Sequence, residues 1–184
     1  GASQVAVNTQ YAHFGIDDGS AATWSADTHY AVPFIQGHTS TIVLSMGTST
    51  TSSFNDTNPS ATVTITANAD YYTNMYWYVV DNITIDAVHC WYGADAATGD
   101  DTAAHLMGYD VVSDNSSTSG DLSNGVVIAD GATITNAGYE QIYYQSMTIQ
   151  NANVDAGQVI LFTFALNSIN SDVSLNATVK YHIR

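Results

Sequence analysis

The stretch VSLNATVKYHI, residues 173–183, decides the fold class. Val173, Leu175, Ala177, Val179, Tyr181 and Ile183 fall on one face of an extended chain. Ser174, Asn176, Thr178, Lys180 and His182 fall on the other. A period of two with apolar and polar faces marks an antiparallel strand, core on one side and water on the other. ATVTITA (61–67) repeats the pattern, with Val63 and Ile65 opposed to Thr62, Thr64 and Thr66. QVILFTFAL (158–166) departs from it, being apolar on both faces. It reads as a central strand covered twice, with a second subunit as one candidate cover.

Outward from these runs, β-branched and aromatic segments recur between Gly, Asn, Asp and Ser clusters. Strands are expected near 11–16, 29–36, 41–46, 74–80, 83–92, 104–112, 126–129 and 141–149 as well. No segment keeps helical periodicity over three turns. The polar stretches 48–60 and 113–125 read as long loops. So many short strands with polar turns imply an all-β antiparallel β-sandwich or barrel. The chain's 184 residues fit one domain, 1–184.

Charge narrows the function classes. The chain carries 17 acidic residues against two cations, Lys180 and Arg184, for a net charge of −15. Such a chain cannot neutralise phosphates, which excludes a nucleic-acid partner. Anionic membranes repel it too. No apolar run approaches the ~18 to 20 residues needed to span a bilayer, so no membrane insertion is expected. Hydrophobic residues at 45% of the chain separate it from acidic disordered tails. A folded chain this acidic repels itself unless salt screens it, and screening lengths fall from about 10 Å at 0.1 M to about 3 Å at 1 M. A saline, extracellular setting is the expected localisation.

Catalytic motifs are missing. The histidines His13, His29, His38, His89, His105 and His182 form no metalloprotease spacing, and no nucleophile elbow occurs. Cys90 follows His89, but strand neighbours point to opposite faces and cannot pair as nucleophile and base. Cys90 reads as a small buried residue and the chain as a non-enzyme. Four Asn-x-Ser/Thr sequons, at Asn55, Asn82, Asn115 and Asn176, are a weak signal in a chain rich in these residues.

Two groups remain as candidate binding residues. Asp95, Asp100 and Asp101, with Asp17 and Asp18, read as loop residues beside glycines. Loop carboxylates supply the hard oxygens that calcium takes, making calcium the candidate cofactor, weighed against a plain solvated acidic loop. The aromatic run YYTNMYWYVVDNITIDAVHCWYG (71–93) is the second group. Tyr76 and Tyr78 share a face opposite Met75, Trp77 and Val79. Strict alternation in the following strand puts Ile83, Ile85, Ala87, His89 and Trp91 on one face. Thr84, Asp86, Val88, Cys90 and Tyr92 take the other. Trp91 and Tyr92 enter the acidic loop. These rings suit a core, a subunit interface or a platform for a glycan.

The downstream half carries a resemblance. DNITIDAVHCWYGADAATGDDTAAHLMGYDV (81–111) is a strand, an acidic loop and a returning strand. NVDAGQVILFTFALNSINSDVSLNATVKYHIR (153–184) is a turn, an apolar strand, a polar tip and a last alternating strand. Over residues 75 to 184 this pattern resembles the jelly-roll modules of tailed-phage fibres, head spikes and capsid decoration proteins, those of marine phages above all. Tumour-necrosis-factor-like trimers share the plan. The resemblance implies a jelly-roll-like sandwich, a homotrimer, and display on a virion surface beside other virion proteins. The module would stabilise the particle or adhere to a host surface glycan, with 1–27 as an attachment arm. The competing expectation is a carbohydrate-binding module or adhesin of a marine or halophilic microbe.

Overall fold

A computed structural model describes residues 8–18, 26–34, 45–48, 59–65, 73–95, 99–167 and 172–184. They form two antiparallel sheets and no helix. Sheet A holds β1 (Thr9–Asp18), β13 (Asp172–Ile183), β5 (Ile83–Asp95), and on the far edge of β5 both β9 (Gln141–Ser146) and β11 (Asn153–Val154). Sheet B runs β3 (Ser45–Thr48), β2 (Thr28–Val32), β12 (Gln158–Leu166), β6 (Asp101–Val111), β7 (Leu122–Asp130) and β10 (Thr148–Ile149). The short β4 (Trp77–Tyr78) pairs with β12 and β8 (Ile134–Thr135) with β6.

Eight of these strands carry the fold: β1, β2, β5, β6, β7, β9, β12 and β13. Numbered one to eight along the chain, they lie as 1-8-3-6 in sheet A and 2-7-4-5 in sheet B. That is the strand order of a jelly roll, the antiparallel sandwich expected from the sequence. Residues 9–18, inside the expected attachment arm, are hydrogen-bonded along their length to β13.

The core between the sheets follows from alternation. In β13, Val173, Leu175, Ala177 and Val179 are buried, while Ser174 and Asn176 face water. They meet Phe14 and Ile16 from β1, and Phe162 and Phe164 from β12. At one end the ring of Trp77 stacks on Phe34, with centroids 5.6 Å apart, and packs on Tyr181 at 4.9 Å. Aromatic pairs of this kind add about 0.5–1.5 kcal/mol each beyond their burial. Gly157, at φ 92, makes the turn into β12, a backbone conformation that side chains rarely adopt.

β5 does not keep strict alternation. Its register against β13 slips between Lys180 and Tyr181, so Asp86 is an extra residue in β5. Such a bulge shifts the phase of every residue beyond it. Ile83 and Ile85 point inward before it; Val88, Cys90 and Tyr92 point inward after it. Asp86 and Ala87 both face outward, and one strand of uneven phase seals the core along its whole length.

The two-faced strand β12 is covered by its own chain. All eight residues from Val159 to Leu166 are buried within a single copy, so a second subunit is not needed as the cover. A second core lies on the outer side of sheet B, where Val63 and Met75 pack on Met107, Tyr109, Val159 and Leu161. Residues 59–65 are tied down by backbone bonds between Val63 and Leu122 and by the Tyr109 hydroxyl donating to Ser60 O at 2.8 Å. Gly125 lets this segment approach: a Cβ there would meet Tyr109 at 2.4 Å and the Ala61 Cα at 2.9 Å.

Residues 61–65, the described part of the expected strand 61–67, form no strand. Within the described residues they make one isolated bridge, Val63 to Leu122, although Val63 is buried and Thr62 and Thr64 exposed as their alternation demands. The expected strand 141–149 splits around Met147 into β9 and β10, one in each sheet. β7 begins at Leu122, inside the expected loop 113–125. β3 begins at Ser45; residues 41–44 of the expected strand, and 49–58 of the first polar loop, lie outside the described residues.

Candidate functional site

The outer face of sheet A gathers the exposed aromatics. Antiparallel register aligns Asn176, Trp91 and Tyr144 in one row across β13, β5 and β9. His13, Thr178, His89 and Ser146 form the next row. Ser174, Gly93 and Ile142 flank the first row on its other side, and Tyr11 sits opposite Lys180 at the far end. Trp91 is 54% exposed, Tyr144 52% and Ile142 74%.

These side chains brace one another. The Trp91 and Tyr144 rings lie 5.0 Å apart, tilted by 49°. Tyr144 stacks on His89 at 5.7 Å, and its hydroxyl lies 2.6 Å from His89 Nδ1. His13 Nδ1 lies 3.2 Å from Thr178 Oγ1. Each ring gives up rotational freedom to its neighbour, which lowers the entropy lost when a partner seats on the face.

Asp86 faces outward on β5, and His182 Nδ1 lies 3.0 Å from both of its oxygens; in register, Asp17 of β1 stands opposite Ser174, in the row of Gly93 and Ile142. Lys180, one of only two Lys or Arg residues, lies on the same face.

The sequence-nominated residues separate. Trp91 is on this face. Tyr92 is not: it is 2% exposed between the sheets, and burial pushes its phenol up to about 12. Adjacent strand residues must part in this way, so the rim read at Trp91–Tyr92 is Trp91 alone. Tyr76 and Tyr78 belong to the outer side of sheet B and line a pocket there, with the Tyr76 hydroxyl donating to Gly120 O at 2.8 Å. Tyr144, Ile142 and His13, which complete the face, carry no local signal; only strand register brings them to Trp91.

The acidic residues are held by separate partners. Asp101 Oδ1 accepts the Thr135 hydroxyl at 2.6 Å, and Asp100 O accepts from Asn136 N. Asp95 ends β5 opposite Asp172. Among the described residues, no three His, Cys, Asp or Glu side chains converge as a metal site.

Cys90 lies in the main core, where burial raises its thiol to about 12. A thiolate is the reactive form. The folded chain is expected to leave a thiol-reactive dye uncoloured at pH 8 and to react fully in urea. Rapid labelling of the folded chain would contradict the placement.

Chemically, the outer face of sheet A offers rings, an aliphatic side chain and polar groups, with Asp86 and Lys180 among them. Compared with known proteins, the chain matches no family model and no curated protein.

Proposed function

We propose that this chain is a non-enzymatic structural protein of a virus particle, displayed on the virion surface as a homotrimer. There it stabilises the particle or adheres to the host surface. The observation that carries this reading is the outer face of sheet A. A chain of net charge −15 repels its own copies. On this face Trp91, Tyr144, Ile142 and Tyr11 are exposed, apolar area that a second copy can cover once salt screens the charge. Contiguous exposed apolar patches of this kind mark interaction surfaces. The jelly-roll strand order supports the likeness to phage surface modules and to trimeric jelly rolls. The proposed saline setting, which screens the remaining charge, agrees with it.

Trp91→Glu tests the interface. A charge at the centre of an aromatic contact is expected to weaken self-association by 100-fold or more, on the order of the 2 kcal/mol or greater loss at interface hot spots. Sedimentation velocity reads the shift. Unchanged association would remove sheet A from the interface.

A second reading, a carbohydrate-binding module or adhesin of a marine or halophilic microbe, is favoured by the same Trp91–Tyr144 pair, whose exposed rings can stack on sugar C–H groups. Specific glycan-array binding by a monomeric chain, lost in Trp91→Ala, would select it. Calcium would enter either reading as a ligand of Asp95, Asp100 and Asp101.

A further inference from the structure

A pocket of about 390 Å³ opens on the opposite side of the molecule, between sheet B and the turn that follows β6. Its walls are carbon: Ile65, Tyr76, Tyr78, Val111 and Val159. Its size falls within the range of small-molecule sites, roughly 300–1,000 Å³. The walls are held without a ligand. The Tyr76 hydroxyl ties one side to Gly120 O at 2.8 Å, and Asp121 Oδ1 accepts Ile65 N at 2.7 Å on another.

The rim is polar at the turn. Asp114 lies there, its Oδ1 accepting Ser116 N at 3.0 Å and the Ser119 hydroxyl at 3.3 Å. Hydrogen bonding from the Ser116 side chain, then from the Ser116 backbone and Ser119, holds its carboxyl below the usual carboxylate range, so it is an anion at neutral pH. A sugar would find few partners on walls of valine, isoleucine and tyrosine. A fatty acid would bring a second anion to Asp114 in the field of a chain of net charge −15.

We infer that this pocket binds a small amphiphile with an apolar body and a cationic end, the body against Val111 and Val159 and the cation at Asp114. The site is independent of the sheet A face and of the virion reading.

The test uses the whole chain and a neutral reporter dye, N-phenylnaphthylamine, whose emission rises in apolar surroundings. Saturable binding at one dye per chain is expected. Octyltrimethylammonium and octyl sulfate, both below their micelle concentrations, then compete for the site. The cation is expected to displace the dye at about tenfold lower concentration, the scale of one close charge interaction. Asp114→Asn, at an exposed position, is expected to bring the two competitors to near equality while dye binding persists. Val112→Trp, which fills the pocket, is expected to weaken the dye about tenfold. No saturable dye binding, equal competition in the unmodified chain, or dye affinity unchanged by Val112→Trp would each overturn the proposal.

Discussion

Tyr92→Ala is expected to destabilise the folded chain by about 3–5 kcal/mol, the usual cost of removing a large buried aromatic. Its neighbour Trp91→Ala is expected to cost well under 1 kcal/mol in the monomer, because an exposed ring leaves no cavity. Urea unfolding at low protein concentration, where association does not contribute, reads both. The contrast follows from the bulge at Asp86. It sets the phase of β5 so that Val88, Cys90 and Tyr92 face Phe162 and its neighbours, while His89 and Trp91 face out. Tyr92 also packs near Tyr143, with ring centroids 6.1 Å apart. If Trp91→Ala were the costlier of the two, the face assignment of β5 would be inverted.

The second large effect concerns acid. His105 is buried on β6, with its ring edge-on to His29 at 5.2 Å. Burial lowers its pKa from 6.5 to about 4, prevailing over the attraction of Asp130, whose Oδ1 lies 3.3 Å from Nε2. The unfolded chain takes up this proton near 6.5, the folded chain only near 4. The unfolded state therefore binds more protons between those values, and stability rises with pH across the window. The contribution is complete above pH 6.5 and is lost as pH falls to about 4. By linkage, the loss amounts to about 3 kcal/mol. Asp130 works in the opposite sense: burial raises its carboxyl, so the folded chain holds that proton more readily and the fall is softened at its acid end. His105→Phe keeps an edge-on ring without the titration and is expected to remove most of the slope. Chemical denaturation at intervals from pH 7 to 4 reads it. An unchanged slope in the variant would exclude His105 as its source.

Much of the fold was legible because alternation is a local property. β13 buries Val173, Leu175, Ala177 and Val179 as its sequence requires, and Trp77 and Val79 turn inward while Tyr78 turns out. What escaped is what depends on distant partners. The bulge at Asp86 is defined against Lys180 and Tyr181 of another strand, so ITIDAV looks regular when read alone. The cover of β12 comes from Val63 and Met75, roughly eighty residues away or more along the chain. β8 and β11, of two residues each, are too short to show any period.

The candidate site divides in the same way. Trp91 stood out as an aromatic near a strand end. Its companions Tyr144 and Ile142 come from β9, and only the antiparallel register with β5 makes them neighbours. Nothing in the local sequence of QIYYQS separates Tyr144, which faces out, from Tyr143, whose hydroxyl lies 3.1 Å from Asn136 Oδ1 at the sheet edge.

We propose that sheet A's outer face joins copies of this chain. The most direct test is the molar mass in solution by light scattering, in high salt, first with calcium and then with a chelator. A stable species of three times the 19.6 kDa chain is expected in both conditions. A trimer lost on chelation would place calcium at the acidic loops as part of the assembly. A monomer throughout, at concentrations well above those of ordinary specific association, would contradict the claim and leave Trp91 and Tyr144 as a ligand platform.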